Sequence, residues 1–171
     1  MLVVDQYEGR VFDDYEEAGA FSGSVGYPEL VRRGLEAVAD LPDGLVAAGF
    51  SNGAAMAEVV ATQRRCSGAL LLSGALPLGM LGASSWPAGT PVQVHYAEHD
   101  PFRRQEWVDA LLADVSASGS GVEQFDYPGA GHLFTDPSLP AEHDPRAAEL
   151  LWERALAFLQ QSVDRTARLD G

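Results

Sequence analysis

The chain has almost no cysteine. Cys66 is the only one in 171 residues, so no disulfide can form within the chain, and a disulfide scaffold is excluded. A lone thiol fits a reducing compartment, which makes a cytoplasmic location the expectation. Long apolar runs are missing as well. No stretch approaches the roughly 18 apolar residues that mark a bilayer-spanning helix. The opening MLVVDQYEGR has no basic stretch followed by an apolar core, so it does not read as a secretion signal. No internal repeat or low-complexity tract interrupts the chain. Basic residues are scarce, with 11 against 25 acidic ones and a net charge of −14. Such a surface repels nucleic-acid phosphates and anionic lipid headgroups, which argues against nucleic acid and membrane as partners.

What is present fits one globular domain over residues 1–171. Apolar residues make up 46%, an ordinary fraction, and a chain this long buries roughly two thirds of its unfolded surface. Neither a metal nor a cofactor is needed to hold it together. Strand-length apolar runs alternate with helical patterns. Leu2–Val4 reads as a short strand, followed by an acidic loop. Pro28–Ala39 reads as a helix, with Pro28 in its first turn and Leu30, Val31, Leu35 and Val38 at helical spacing. Leu45–Phe50 has the continuous apolar character of a strand buried on both faces. Asn52–Arg65 reads as a small-residue helix with basic residues in its last turn. Ala69–Leu72 is a further buried strand, and a Gly/Pro/Ser-rich loop runs to about Gly89. Pro91–Tyr96 and Val122–Tyr127 read as strands, with a helix over Arg103–Val115 between them. A closing helix over Pro145–Gln161 carries Leu150, Leu151, Leu156, Phe158 and Leu159. This alternation predicts an α/β fold, a three-layer α/β/α sandwich around a mostly parallel sheet. In such sheets chemistry sits at the carboxyl ends of the strands.

Gly49-Phe50-Ser51-Asn52-Gly53 fits the G-x-S-x-G elbow between a buried strand and a helix. Glycines two residues to either side would let the helix fold back on the strand while the serine oxygen stands above the sheet. The Asn52 N–H, at the helix N-terminus, is placed to meet a developing oxyanion. A serine hydroxyl needs a base, and the base needs a partner that fixes its tautomer. The fold's chain order is serine, acid, histidine. Asp100 lies near the end of PVQVHYAEHDPF, just past a strand, and His132 lies in YPGAGHLF, just past the next. Gly129 and Gly131 would let that loop turn tightly.

The rivals are weaker. Glu98 reads as a solvated carboxylate, and His99 adjoins Asp100 and points elsewhere. His95 lies inside a strand, as a hydrogen-bonded core histidine would. His132, Asp136, His143 and Asp144 could be written down as metal ligands, but their spacing matches no tight motif, so no metal is expected. Cys66, beside Arg64 and Arg65, reads as a passive thiol.

Taken together, DQYEGR, GFSNG, PVQVHYAEHDPF and YPGAGHLF resemble the dienelactone hydrolase family. The resemblance orders nearly the whole chain. It implies a single α/β-hydrolase domain that hydrolyses small-molecule esters or lactones without a cofactor. Ser51 would be the nucleophile, His132 the base and Asp100 its orienting acid. Three departures stand out. The namesake enzymes carry cysteine where this chain has Ser51, which favours ordinary esterase-like chemistry. They hold a substrate carboxylate with arginines, one of them a few residues after the histidine, whereas Asp136, Glu142 and Asp144 make this neighbourhood acidic. Arg103 and Arg104 read instead as solvent-facing helix residues. Finally, the start at Met1 resembles the family's second core strand, so an N-terminal truncation of roughly 30 residues, about one βα unit, is the expectation. The absent loop would have supplied the second oxyanion donor. A serine hydrolase of esters, lactones or thioesters is therefore the leading reading. A catalytically impaired fragment or a non-catalytic α/β binding domain is the alternative, and a homo-oligomer is compatible with either.

Overall fold

The computed structural model describes residues 1–169. The chain falls into two compact units, Met1–Pro42 and the portion from Asp43 onward.

In the first unit, helix α1 (Tyr15–Val25) and helix α2 (Tyr27–Ala37) follow an irregular start. The strand expected at Leu2–Val4 does not form, and Met1, Leu2 and Val3 are exposed. Asp5 instead accepts hydrogen bonds from the Tyr7 and Gly9 backbones. The acidic stretch expected to be a loop turns into α1. Its start is capped by Asp14, whose carboxylate accepts from the Glu16 and Glu17 N–H groups. Acidic side chains in a first turn suit the helix dipole, so residues that look like a solvated loop favour a helix start. Tyr7, Phe12 and Phe21 form a small aromatic cluster, with ring centroids 5.4–6.0 Å apart. The Gln6 amide donates to the Leu30 carbonyl at 2.7 Å.

The second unit holds four parallel strands among the described residues: β1 (Leu45–Phe50), β2 (Cys66–Leu72), β3 (Val92–Ala97) and β4 (Val122–Tyr127), in the order β1-β2-β3-β4. Right-handed crossovers between neighbours taken in sequence put the connecting segments on one face. These are α3 (Asn52–Gln63), a 3₁₀ turn (Leu78–Leu81) and α4 (Gln105–Ala117). The last helix, α5 (Pro145–Leu169), covers the other face. Its Leu151, Ala155 and Phe158 join Leu70, Leu72, Tyr127 and Phe134 in one apolar cluster. Full burial of such a leucine or phenylalanine contributes roughly 1.5–3 kcal/mol.

Several expectations shift here. β2 and β3 are buried throughout, but β1 is outermost in the sheet and only partly buried, with Ala48 exposed. A short run of Val and Ala looks buried in sequence wherever it sits. Helix α3 ends at Gln63, and Arg64 is already extended, at φ −125° and ψ 154°. The basic pair thus lies beyond the last turn, because β2 starts at Cys66. On α5 the sheet takes the set 151, 155 and 158, which leaves Leu150 and Leu156 39% and 63% exposed.

Candidate active site

Ser51 is the first residue past β1. Its N–H donates to the Leu72 carbonyl at 2.8 Å, so the elbow leaves the strand as a continuation of the β1–β2 ladder. The backbone there is at φ 51° and ψ −116°, a conformation that side-chain-bearing residues rarely adopt. The two flanking glycines are not equivalent. A β-carbon on Gly49 would lie 2.0 Å from the Gly53 carbonyl oxygen, whereas one on Gly53 would meet nothing within 4 Å. Only the first glycine of GFSNG is therefore demanded by packing, where both were expected to be. Asn52 is the first residue of α3.

Asp100 follows β3 by three residues. Its Oδ1 accepts the Phe102 N–H at 2.8 Å, which fixes the carboxylate, and its side chain is fully buried. Oδ2 lies 2.8 Å from His132 Nδ1. On the other side of the ring, His132 Nε2 lies 2.7 Å from Ser51 Oγ. A carboxylate can only accept, so Nδ1 carries the ring proton and donates to Asp100. Nε2 then has a lone pair to accept the Ser51 hydroxyl. The loop that carries His132 is held at both ends. The Leu133 N–H donates to Glu142 Oε2 at 2.8 Å, and a β-carbon on Gly131 would lie 2.3 Å from the Glu142 carbonyl oxygen. The Phe102 ring packs against the imidazole with centroids 4.6 Å apart and is itself 52% exposed.

The structure thus brings Ser51, Asp100 and His132 together and leaves the rivals apart. Glu98 and His99 are exposed. His95 is fully buried in β3, between the Tyr127 hydroxyl and the Gln93 amide oxygen, each at 2.8 Å. Burial, with Arg154 nearby, pushes its pKa down to about 4. Cys66 is buried, which pushes the thiol up to about 11 despite Arg64. Among the described residues, no three His, Cys, Asp or Glu side chains gather as metal ligands. Asp136 instead accepts from the Ser138 N–H and hydroxyl, which hold its carboxyl below its usual pKa. Asp144 caps α5 through the Arg146 and Ala147 N–H groups.

Arg103 departs from expectation. Its side chain is only 10% exposed, pairs with Asp126 at 2.8 Å and lies over the Tyr96 ring. Glu98, Asp100, Arg103, Gln105 and Asp126 line a polar recess of about 350 Å³. Ser51 does not line it.

Two residues near the site escaped the sequence reading. Ser73, just past β2, donates its hydroxyl to the His132 carbonyl at 2.6 Å. Glu58, on α3, is fully buried and accepts the Leu76 N–H at 3.0 Å. Burial pushes its pKa up to about 8, and the hydrogen bond offsets only part of that rise. The available signals were a serine-glycine pair directly after the apolar run ALLL, and a single acid within AAMAEVVA.

Comparison with known proteins adds to this geometry. Residues 5–163 match the family described as the dienelactone hydrolase family. No curated protein matches the sequence. Among solved structures, the chain is similar to the dienelactone hydrolase-like promiscuous phosphotriesterase P91 from metagenomic libraries. That match has a TM-score of 0.75 and 21% identity, and covers 92% of this chain and 72% of that one. It is also similar to MGS-M1, an α/β-hydrolase enzyme from a Medee basin deep-sea metagenome library, with a TM-score of 0.66 and 15% identity over 84% of this chain and 68% of that one. Esterase 2 of Thermogutta terrifontis, phosphoramylated by tabun, matches with a TM-score of 0.56 and 19% identity over 78% and 61%. At these identities the likeness carries the α/β-hydrolase fold. Among the described residues, no helix is long and apolar enough to cross a membrane.

Proposed function

The chain belongs to the dienelactone hydrolase family, and from that premise we propose that it is a serine hydrolase of small, uncharged carboxylic esters, lactones or thioesters. The observation that carries the proposal is the unbroken relay from Asp100 Oδ2 through both nitrogens of His132 to Ser51 Oγ, with contacts of 2.8 and 2.7 Å. It ends on a serine held in a strained turn above the sheet.

In this reading His132 Nε2 takes the hydroxyl proton as Ser51 Oγ bonds to the substrate carbonyl carbon. The carbonyl oxygen becomes the oxyanion, which in this reading the backbone N–H of Asn52 at the start of α3 stabilises. Collapse of the tetrahedral adduct breaks the bond to the leaving group, which departs with the proton returned by His132. The acyl group then sits on Ser51. Water, deprotonated by His132, attacks it, and a second collapse releases the acid and restores the serine. Asp100 keeps the imidazole in the right tautomer and stabilises its charged form. No step requires a metal or a cofactor.

The preference for uncharged substrates rests on charge. Asp136, Glu142 and Asp144 follow His132, and Arg103, which lines the recess beside Asp100, is engaged by Asp126. A substrate carboxylate would therefore meet no compensating arginine there. The half-exposed Phe102 ring beside His132 offers an apolar surface instead.

Hydrolysis of a p-nitrophenyl ester tests the proposal. Wild-type protein should turn it over with saturable kinetics. Ser51→Ala, with an unchanged melting temperature, should lose about a thousandfold or more in kcat. Equal rates for the two proteins would refute the assignment.

A further inference from the structure

We propose that Ser73 is a positioning residue for the reaction, its hydroxyl holding the His132 backbone so that the imidazole stays over Ser51. The inference rests on the reading of Ser51, Asp100 and His132 as a working triad.

The position of Ser73 comes from the sheet. Leu72 pairs with Phe50 on one side and His95 on the other, so Ser73 leaves β2 level with Ser51 as it leaves β1. Its N–H donates to the His95 carbonyl at 2.8 Å, which fixes the backbone, and the residue is only 5% exposed. Its Oγ–H donates to the His132 carbonyl oxygen at 2.6 Å, joining residues 59 apart in sequence. A carbonyl only accepts, so the direction of this bond is set.

Ser73 also has φ 52°, a left-handed conformation in which glycine would be free of strain. Among the described residues, only three non-glycine positions have positive φ, and Ser51 is another of them. A serine kept where glycine fits better indicates that the side chain has a task. The hydroxyl is the part of it that glycine lacks.

The neighbouring residues turn this contact into a frame. A β-carbon on Gly74 would lie 2.5 Å from the Ser51 carbonyl oxygen and 2.7 Å from Ala54 Cβ, so the segment presses directly on the elbow. The Leu76 N–H is held by the Glu58 carboxyl at 3.0 Å. Ser73, Gly74 and Leu76 are therefore fixed against β3, the elbow and α3. The Ser73 hydroxyl is where that fixed segment reaches the histidine loop. Releasing it would let the His132 peptide rotate, and a displacement of about 1 Å between reacting groups can cost up to a hundredfold in rate.

The test uses Ser73→Ala and Ser73→Gly in the full chain. Both remove the hydroxyl, and Ser73→Gly also removes the backbone strain, so it keeps the test valid if Ser73→Ala folds poorly. The role predicts that kcat falls roughly ten- to a hundredfold in both variants, with KM within about twofold of wild type. It also predicts that the downfield proton resonance of the His132–Asp100 hydrogen bond shifts or broadens in both. A folded Ser73→Gly protein with wild-type kcat and an unmoved resonance overturns the proposal. So does a change confined to KM. If wild-type protein neither hydrolyses the ester nor reacts at Ser51, the triad reading itself fails and the role of Ser73 falls with it. If wild type is active and the variants match it, only the Ser73 assignment is lost.

Discussion

His95 and His132 are alike in most of what burial and hydrogen bonding describe. They are 0% and 3% exposed, and each has both ring nitrogens occupied at 2.7–2.8 Å. They differ in partners and in place. His95 sits within β3 between a phenol and an amide, where no partner can ionise at neutral pH to balance a second ring proton. Burial, with Arg154 nearby, pushes its pKa down to about 4. His132 lies five residues past β4, between a carboxylate and a serine hydroxyl. The carboxylate can balance an imidazolium, and the hydroxyl can supply the proton that creates one. A buried, doubly bonded histidine is thus no signature of catalysis by itself. The chemistry of its two partners, and its position at the carboxyl edge of the sheet, make the distinction.

The largest expected effect lies in exchanging the fates of these two residues. His132→Ala should lower kcat by about ten-thousandfold, in line with triad deletions, in protein that still folds. His95→Ala should do the reverse. It leaves the Tyr127 hydroxyl and the Gln93 amide without their shared partner and opens a cavity. We expect a loss of roughly 2–4 kcal/mol in unfolding free energy, with kcat of the folded fraction within a few fold of wild type. Urea unfolding and steady-state kinetics on the two variants check both halves. A fully folded but inactive His95→Ala protein would break the comparison.

A smaller effect sharpens it through pH. The folded protein holds the Glu58 proton up to about pH 8, while the unfolded chain releases it near 4.5. This group's contribution to stability is therefore full below about 4.5 and declines as pH rises to about 8. His95 acts in the opposite sense. The folded form stays neutral down to about 4, while the unfolded form titrates near 6.5, so stability rises with pH between those values. Above pH 6.5 the Glu58 decline stands alone. Glu58→Gln keeps an acceptor for the Leu76 N–H and removes the titration. It should therefore abolish a decline of about 2 kcal/mol between pH 6.5 and 8. Urea midpoints at the two pH values measure this. A variant that declines as steeply as wild type would show that Glu58 is not the group responsible.

Much of the fold was legible in sequence because buried parallel strands announce themselves as apolar runs. β1 and β4 have the bounds that their residues implied, Leu45–Phe50 and Val122–Tyr127. β2 begins earlier than its apolar run, because Cys66 and Gly68 pair with Leu45 and Val46 of β1, with a register shift at Ser67 between them. Helix α1 was hidden by acidic residues that favour a helix start when Asp14 caps it. The three candidate catalytic residues were visible because each follows a strand in the expected order. Ser73 and Glu58 were not, because their roles exist only where β2 meets the histidine loop and where α3 meets the segment after β2. Neither meeting leaves a pattern in the linear chain.

The central claim is that Ser51 is a nucleophile activated by His132, and covalent capture tests it most directly. Wild-type protein, Ser51→Ala and His132→Ala would be incubated with a fluorophosphonate probe, and the adduct located by peptide mass mapping. The account predicts one adduct on wild type, at Ser51, none on Ser51→Ala, and labelling slowed by about a hundredfold or more in His132→Ala. An unlabelled but correctly folded wild-type chain, or an adduct that persists in Ser51→Ala, would contradict it.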